Sequence, residues 1–164
     1  MDVLWSELTR GLPDGAALAQ LVIRLVAAAL LGAVVGIQRQ RAGKPAGLRT
    51  HILVSLGTSV FVLACAGVGM SLEGQSRVIQ GIVTGIGFIG AGSILKLEKE
   101  QEIQGLTTAA GIWMTAAIGI AVGLGSLGVA ILCTLMTLIV LSVLGSIEFH
   151  AANKVRVVIN RRDD

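Results

Sequence analysis

Five apolar runs separated by short polar connections account for most of the chain, at 17–37, 50–70, 78–95, 107–124 and 127–147. Each is roughly 20 residues long, which at 1.5 Å per residue crosses a hydrocarbon core of about 30 Å. The pattern predicts an all-α membrane protein of five transmembrane helices. Residues 1–16 read as an interfacial segment: in DVLWSELTRGL, Val3, Leu4, Leu8 and Leu12 fall near one face and Asp2, Glu7 and Arg10 elsewhere, with Trp5 at headgroup level. Pro13-Asp14-Gly15 then turns the chain, with Asp14 as the helix N-cap. Only Gly125-Ser126 separates the last two runs, which predicts a tight hairpin. Residues 148–164 form a polar tail in which KVRVVIN, 154–160, alternates as a strand does, although one strand does not stand alone.

The third run stands apart. Val78 to Leu95 contains Gly81, Gly85, Gly87, Gly90 and Gly92. In water each would cost a helix roughly 0.8–1 kcal/mol relative to alanine, whereas in hydrocarbon an unpaired amide costs several kcal/mol and the helix forms anyway. A helix so bare on two sides is expected to be a centre against which the other spans pack, or a backbone that lines a pore or ligand site. The fourth run repeats small residues every four positions, Gly111, Thr115, Gly119 and Gly123, a helix-contact ridge expected to meet either the glycine helix or a second copy of the chain. The fifth, LCTLMTLIVLSVL, is bulky and reads as a lipid-facing wall.

Composition agrees with a membrane class: 54% of the 164 residues are hydrophobic and 14% charged, with a mean hydropathy of +0.83. Little length remains for a second globular domain, and the acidic start does not read as a signal peptide. Cys65 and Cys133 lie within apolar runs, which argues against a disulfide framework. Charge placement sets orientation. Arg39, Arg41, Lys44, Arg49, Lys96, Lys99, Lys154, Arg156, Arg161 and Arg162 all fall on one side, against Arg10 and Arg77 on the other. By the positive-inside rule the N-terminus is outside and the C-terminus in the cytoplasm.

Arg24 is the one charge deep within a run. It is expected either to snorkel to the outer headgroups or to pair with Gln80, with a loop carboxylate such as Glu73, or with a bound anion. No Asp or Glu lies in any span, so a dehydrated divalent cation would lack its usual carboxylate ligands. The densest polar stretch is RQRAGKPAGLRTH, 39–51. Its cations suit anionic lipid at roughly 1 kcal/mol each. The opening of the second span also places Arg49, Thr50 and His51 at a helix N-terminus, suited to an anion or an acidic partner residue. His51 reads as a structural hydrogen-bonding group before a metal ligand. No catalytic constellation, cofactor motif or metal spacing is present, and no nucleic-acid partner is expected. The polar positions singled out are Arg24, Gln38, Arg39, Arg49, Thr50, His51, Gln80 and Thr108.

Laid over 90–115 without gaps, residues 32–57 match at Gly32-Ala33 with Gly90-Ala91, and at Gly47-Leu48-x-Thr50 with Gly105-Leu106-x-Thr108; Arg41 falls on Lys99. The match points to a parallel repeat of span, cytoplasmic loop and span, with any site near its interface.

GIQRQRAGKPAGLRTH at 36–51, SRVIQGIVTGIGFIGAGSIL at 76–95 and GLTTAAGIWMTAAIGIAVGLG at 105–125 resemble the hallmark segments of the MgtC/SapB (YhiD-like) bacterial inner-membrane family. Arg24 also matches an arginine in that family's first span. The resemblance implies a multi-pass inner-membrane protein, in some members tied to magnesium limitation and survival in host cells. One branch acts on ATP synthase rather than carrying magnesium. Gln38 stands where that family usually has glutamate, and Gly74 or Gln75 where it often has an acid. The reading that follows is a non-enzymatic regulator or accessory factor linked to magnesium limitation or envelope stress, in contact with membrane lipids and acting through helix contacts with itself, as a homodimer, or with a membrane-protein partner. The alternative is a small transporter or channel with a path along the Gly81–Gly92 helix and past Arg24.

Overall fold

A computed structural model describes residues 2–9, 11–97 and 102–144. The elements in order are α1 (Asp2–Thr9), α2 (Gly15–Arg41), α3 (Leu48–Gly67), α4 (Leu72–Gly92), strands β1 (Leu95–Leu97) and β2 (Glu102–Gln104), α5 (Leu106–Gly123) and α6 (Leu127–Ile139), which continues as a π-helical turn over Val140–Leu144. Helices α2, α3 and α5 are long and apolar enough to cross a membrane. Helix α4 matches them in length but carries Glu73 and Arg77, paired with each other, in its first two turns. The tail 148–164, with its expected strand at 154–160, and Lys99 lie outside the described residues.

Local signals set most boundaries. Asp14 occupies the N-cap of α2 as expected, though its side chain makes no capping hydrogen bond. Ser71 Oγ accepts from Gly74 N–H at 3.2 Å and starts α4. The α5–α6 hairpin turns at Gly125, whose φ of +83° is the left-handed conformation that glycine adopts without strain. The connection expected as a plain cytoplasmic loop is instead an antiparallel hairpin, pairing Leu95 with Gln104 and Leu97 with Glu102. It leads into α5 through Gly105, at φ +98°, where an added Cβ would collide with the Ser93 carbonyl oxygen.

The centre of the bundle is α3 with α5 beside it, not the glycine helix. The buried face of α3 is made of His51, Ser55, Thr58, Ser59, Val62 and Cys65, while Leu53, Val60 and Phe61 point outward. In lipid a helix has no apolar side to hide, so small and weakly polar residues gather where backbones approach. Helix α2 comes in through Gly32, where a Cβ would lie 2.6 Å from the His51 carbonyl oxygen, and Gly36, 2.7 Å from Leu48 Cα. Helix α5 comes in through Gly111, 3.8 Å from the His51 ring, Gly119, against Thr58 and the Ser55 carbonyl, and Gly123, against Val62 and the Ser59 carbonyl. The ridge of Gly111, Thr115, Gly119 and Gly123 therefore meets α3, neither of the two partners expected for it. Because 51, 55 and 59 meet 111, 119 and 123 in the same order, α3 and α5 run parallel.

Helix α4 lies at the edge. A Cβ at Gly81, Gly85, Gly87 or Gly92 would meet nothing within 4 Å, whereas one at Gly90 would lie 3.5 Å from Ala109 Cβ on α5. Ile86 and Gly90 are its buried residues. The expectation of spans packed around the third helix is corrected on this point: α3 and α5 already close on each other through glycines set against small polar side chains. Helix α6 shows its bulky residues, Leu132, Leu135, Met136 and Ile139 among them, on the outside.

The overlay of 32–57 on 90–115 has a counterpart in the packing. Gly32 lies against His51 and Gly90 against Ala109, positions that the overlay pairs. Helices α3 and α5 both start at a leucine behind a glycine N-cap. The copies diverge before that point, since α2 continues to Arg41 whereas α4 stops at Gly92.

Candidate functional site

The last turns of α2 and the first turns of α3 and α5 bring a polar group together inside the bundle. Arg39 belongs to the basic last turn of α2, where a cation suits the helix C-terminus. It nevertheless turns inward and is 3% exposed, with Nη2 donating to Thr108 Oγ1 at 2.8 Å. His51, fully buried, places Nδ1 2.7 Å from Thr115 Oγ1. The Thr115 hydroxyl donates its one proton to the Gly111 carbonyl at 2.9 Å, so Nδ1–H of His51 is the donor to Thr115. That network assigns the tautomer.

Below His51, Ser55 and Ser59 follow at one-turn steps, both fully buried. Five buried polar atoms here have no hydrogen-bond partner: Gln38 Oε1, Arg39 Nε, His51 Nε2, Ser55 Oγ and Ser59 Oγ. A buried polar atom left unpaired costs about 1–3 kcal/mol, so five in one region call for an explanation. Gln40, on the next position of α2, accepts from Leu48 N–H at 3.3 Å and fixes where α3 begins.

Of the residues singled out from sequence, Arg39, His51 and Thr108 come together, joined by Thr115 from the packing ridge. Gln38 is half-buried beside them, Thr50 is half-buried, and Arg49 is exposed. Gln80 is exposed on α4, with its carbonyl accepting from Thr84 Oγ1. Arg24 lies at the other end of α2, about 22 Å from Arg39 along the helix axis. Its Nη1 donates to the Gly123 carbonyl at 3.1 Å, capping the C-terminus of α5, where the helix dipole favours a cation. It pairs with neither Gln80 nor Glu73; Glu73 binds Arg77. A backbone carbonyl as the partner could not be named from composition, because it exists only once α5 ends beside α2.

Sequence reasoning missed Ser55 and Ser59 as members of the site. The signal was available: His51, Ser55, Thr58 and Ser59 recur at the spacing of one helical face. Among the described residues no group of three His, Cys, Asp or Glu side chains could hold a metal ion.

The model of the MgtC family matches residues 25–150 of the chain. The chain is 44% identical over 146 residues to the putative magnesium transporter YhiD of Escherichia coli, covering 83% of this chain and 66% of that protein. It is 42% identical over 137 residues to the SrpB protein of Synechococcus elongatus, covering 74% and 73%. Identity to the MgtC protein of Salmonella typhimurium is 41% over 117 residues, covering 71% of this chain and 49% of that protein. No solved structure matches the chain. With three apolar helices of spanning length and a family match over most of its residues, the chain belongs to the MgtC family of membrane proteins.

Proposed function

We propose that this protein is a non-enzymatic regulator or accessory factor of the bacterial inner membrane, linked to magnesium limitation or envelope stress. It acts through helix contacts with itself, as a homodimer, or with a membrane partner. In this reading α4 and α6 also cross the bilayer, giving five spans over 17–147, with the N-terminus outside and the C-terminus in the cytoplasm. The observation that carries it is the open face of α4. A Cβ added at Gly81, Gly85 or Gly92, which share one face, would meet nothing within 4 Å, and Phe88 on the same face is 84% exposed. A bare helix face gains packing energy in lipid when another helix comes close. The magnesium link draws on the name of the Escherichia coli relative, a putative magnesium transporter.

That same name supports the alternative, a small transporter with a path along the glycine helix and past Arg24. Two features weigh against it. Arg24 is engaged in capping α5. The groove that reaches Gly81 and Gly85, of about 440 Å³, is lined otherwise by Phe61, Val78, Ile82, Ile86, Ile89 and Thr58, a poor surface for an ion.

Energy transfer between donor- and acceptor-labelled copies in liposomes tests the contact. Gly85→Leu is expected to lower the transfer, or to lose growth support under magnesium limitation, while melting like the wild type. Magnesium flux into liposomes above the empty-vesicle rate, abolished by Arg24→Ala in a folded protein, would replace the regulator with the transporter.

A further inference from the structure

Arg39 is a buried cation with no counter-ion among the described residues. Its guanidinium is bonded to the neutral Thr108 hydroxyl, its Nε–H has no partner, and among the described residues no carboxylate pairs with it. A buried charge held this way carries a desolvation penalty of several kcal/mol, which a counter-ion offsets when the geometry is good.

The surroundings add positive potential. Helix α3 starts at Leu48 behind Gly47, and α5 at Leu106 behind Gly105; neither N-cap residue supplies a side-chain hydrogen bond. The two helices run parallel, so their first N–H groups, which lack intrahelical acceptors, lie at the same end of the bundle; that of Leu48 is taken by Gln40 Oε1. Thr108, the anchor of Arg39, is the third residue of α5. Arg41 at the end of α2, Lys44 on the connection and Arg49 at the start of α3 stand exposed and raise the local concentration of anions.

We infer that the Arg39 seat binds a tetrahedral oxyanion of the phosphate class, supplied as the free ion or as a phospholipid headgroup. The Nε–H and the Nη hydrogens that Thr108 leaves unused form the planar fork that takes two phosphate oxygens at once. The α5 amides beside Thr108 suit a third. The same field repels a bare divalent cation, so magnesium itself is not the occupant. This inference is independent of the regulator reading and stands or falls without it.

Melting of the purified full chain in detergent tests it. Sodium phosphate is compared with sodium chloride at matched ionic strength, which separates binding from screening. A phosphate concentration far above the dissociation constant is expected to raise the midpoint by roughly 5 °C. The second arm uses phosphate-free buffer and phosphatidylcholine vesicles with or without phosphatidylglycerol. A rise in the phosphate arm identifies the free ion as a source, and a rise confined to the lipid arm identifies the headgroup. Arg39→Gln is expected to abolish both responses without lowering the baseline midpoint, because it removes an unbalanced charge; Arg39→Lys keeps the charge, loses the fork and keeps less than half the response. No rise from either source in the wild type, or an undiminished rise in Arg39→Gln, overturns the inference. If Arg39→Gln does not fold, the wild-type and Arg39→Lys titrations decide it alone.

Discussion

Replacing Gly119 by alanine puts a methyl group where Thr58 Oγ1 and the Ser55 carbonyl oxygen already stand. Thr58 cannot simply rotate away, since its hydroxyl is bonded to the Val54 carbonyl at 2.9 Å and the Ser55 carbonyl at 3.1 Å. The Ser55 oxygen belongs to the α3 backbone and does not move independently. Helix α5 must therefore lift off α3 along the seam that also holds His51 against Thr115. Overpacking a tight core costs about 1–3 kcal/mol, and the upper end applies where backbone has to shift. For a protein of this length about 3 kcal/mol corresponds to a fall of roughly 6–12 °C in melting midpoint. Gly85→Ala is the matched control, because its methyl group meets nothing within 4 Å and is expected to change stability by no more than about 0.5 kcal/mol. Thermal melting followed by circular dichroism in dilute detergent micelles compares the two. Gly119→Ala melting with the wild type, or Gly85→Ala falling as far as Gly119→Ala, would refute the placement of α3 and α5 at the centre and restore the glycine helix to it.

Three further outcomes follow from named contacts. Arg24→Gln removes the cation that caps α5 at the Gly123 carbonyl and is expected to cost about 1–2 kcal/mol, read as a lower midpoint; an unchanged midpoint would mean that Arg24 snorkels to headgroups instead. In a double-mutant cycle, His51→Ala and Thr115→Val are expected to show a coupling of about 1 kcal/mol from their buried hydrogen bond, and additive effects would show the bond to be absent. Gly105→Ala combines a left-handed backbone with a collision at the Ser93 carbonyl and is expected to cost more than about 2 kcal/mol. Chymotrypsin cleavage after Leu106 under native conditions would report the displaced hairpin, and wild-type resistance would contradict it.

Much of the architecture was legible along the chain. The apolar runs mark which stretches are helical, although α4 starts at Leu72 rather than Val78 and α2 runs on to Arg41, and Gly125-Ser126 marks the α5–α6 turn. The match of 32–57 with 90–115 reappears as the paired contacts of Gly32 with His51 and Gly90 with Ala109. The β-hairpin was not legible, because Leu95–Leu97 and Glu102–Gln104 are too short for alternation to register. Half of the site was visible as a basic, His-containing segment. What joined Arg39 to Thr108 was the antiparallel approach of α2 and α5, and what joined His51 to Thr115 the parallel approach of α3 and α5, between residues more than 50 apart in sequence.

The sequence by itself determined that this is a helical membrane protein, which stretches are helical, and which positions have backbone bare enough for close approach. The tertiary structure decided which bare faces were used. Gly119 and Gly123 lie in the seam against α3, whereas Gly81, Gly85, Gly87 and Gly92 remain open. The physical reason is the solvent. In water an apolar face must turn inward, so its pattern tells where the core lies; in hydrocarbon lipid tails suit that face as well as protein does, and the inside is chosen by fit between side chains that only the folded chain brings together.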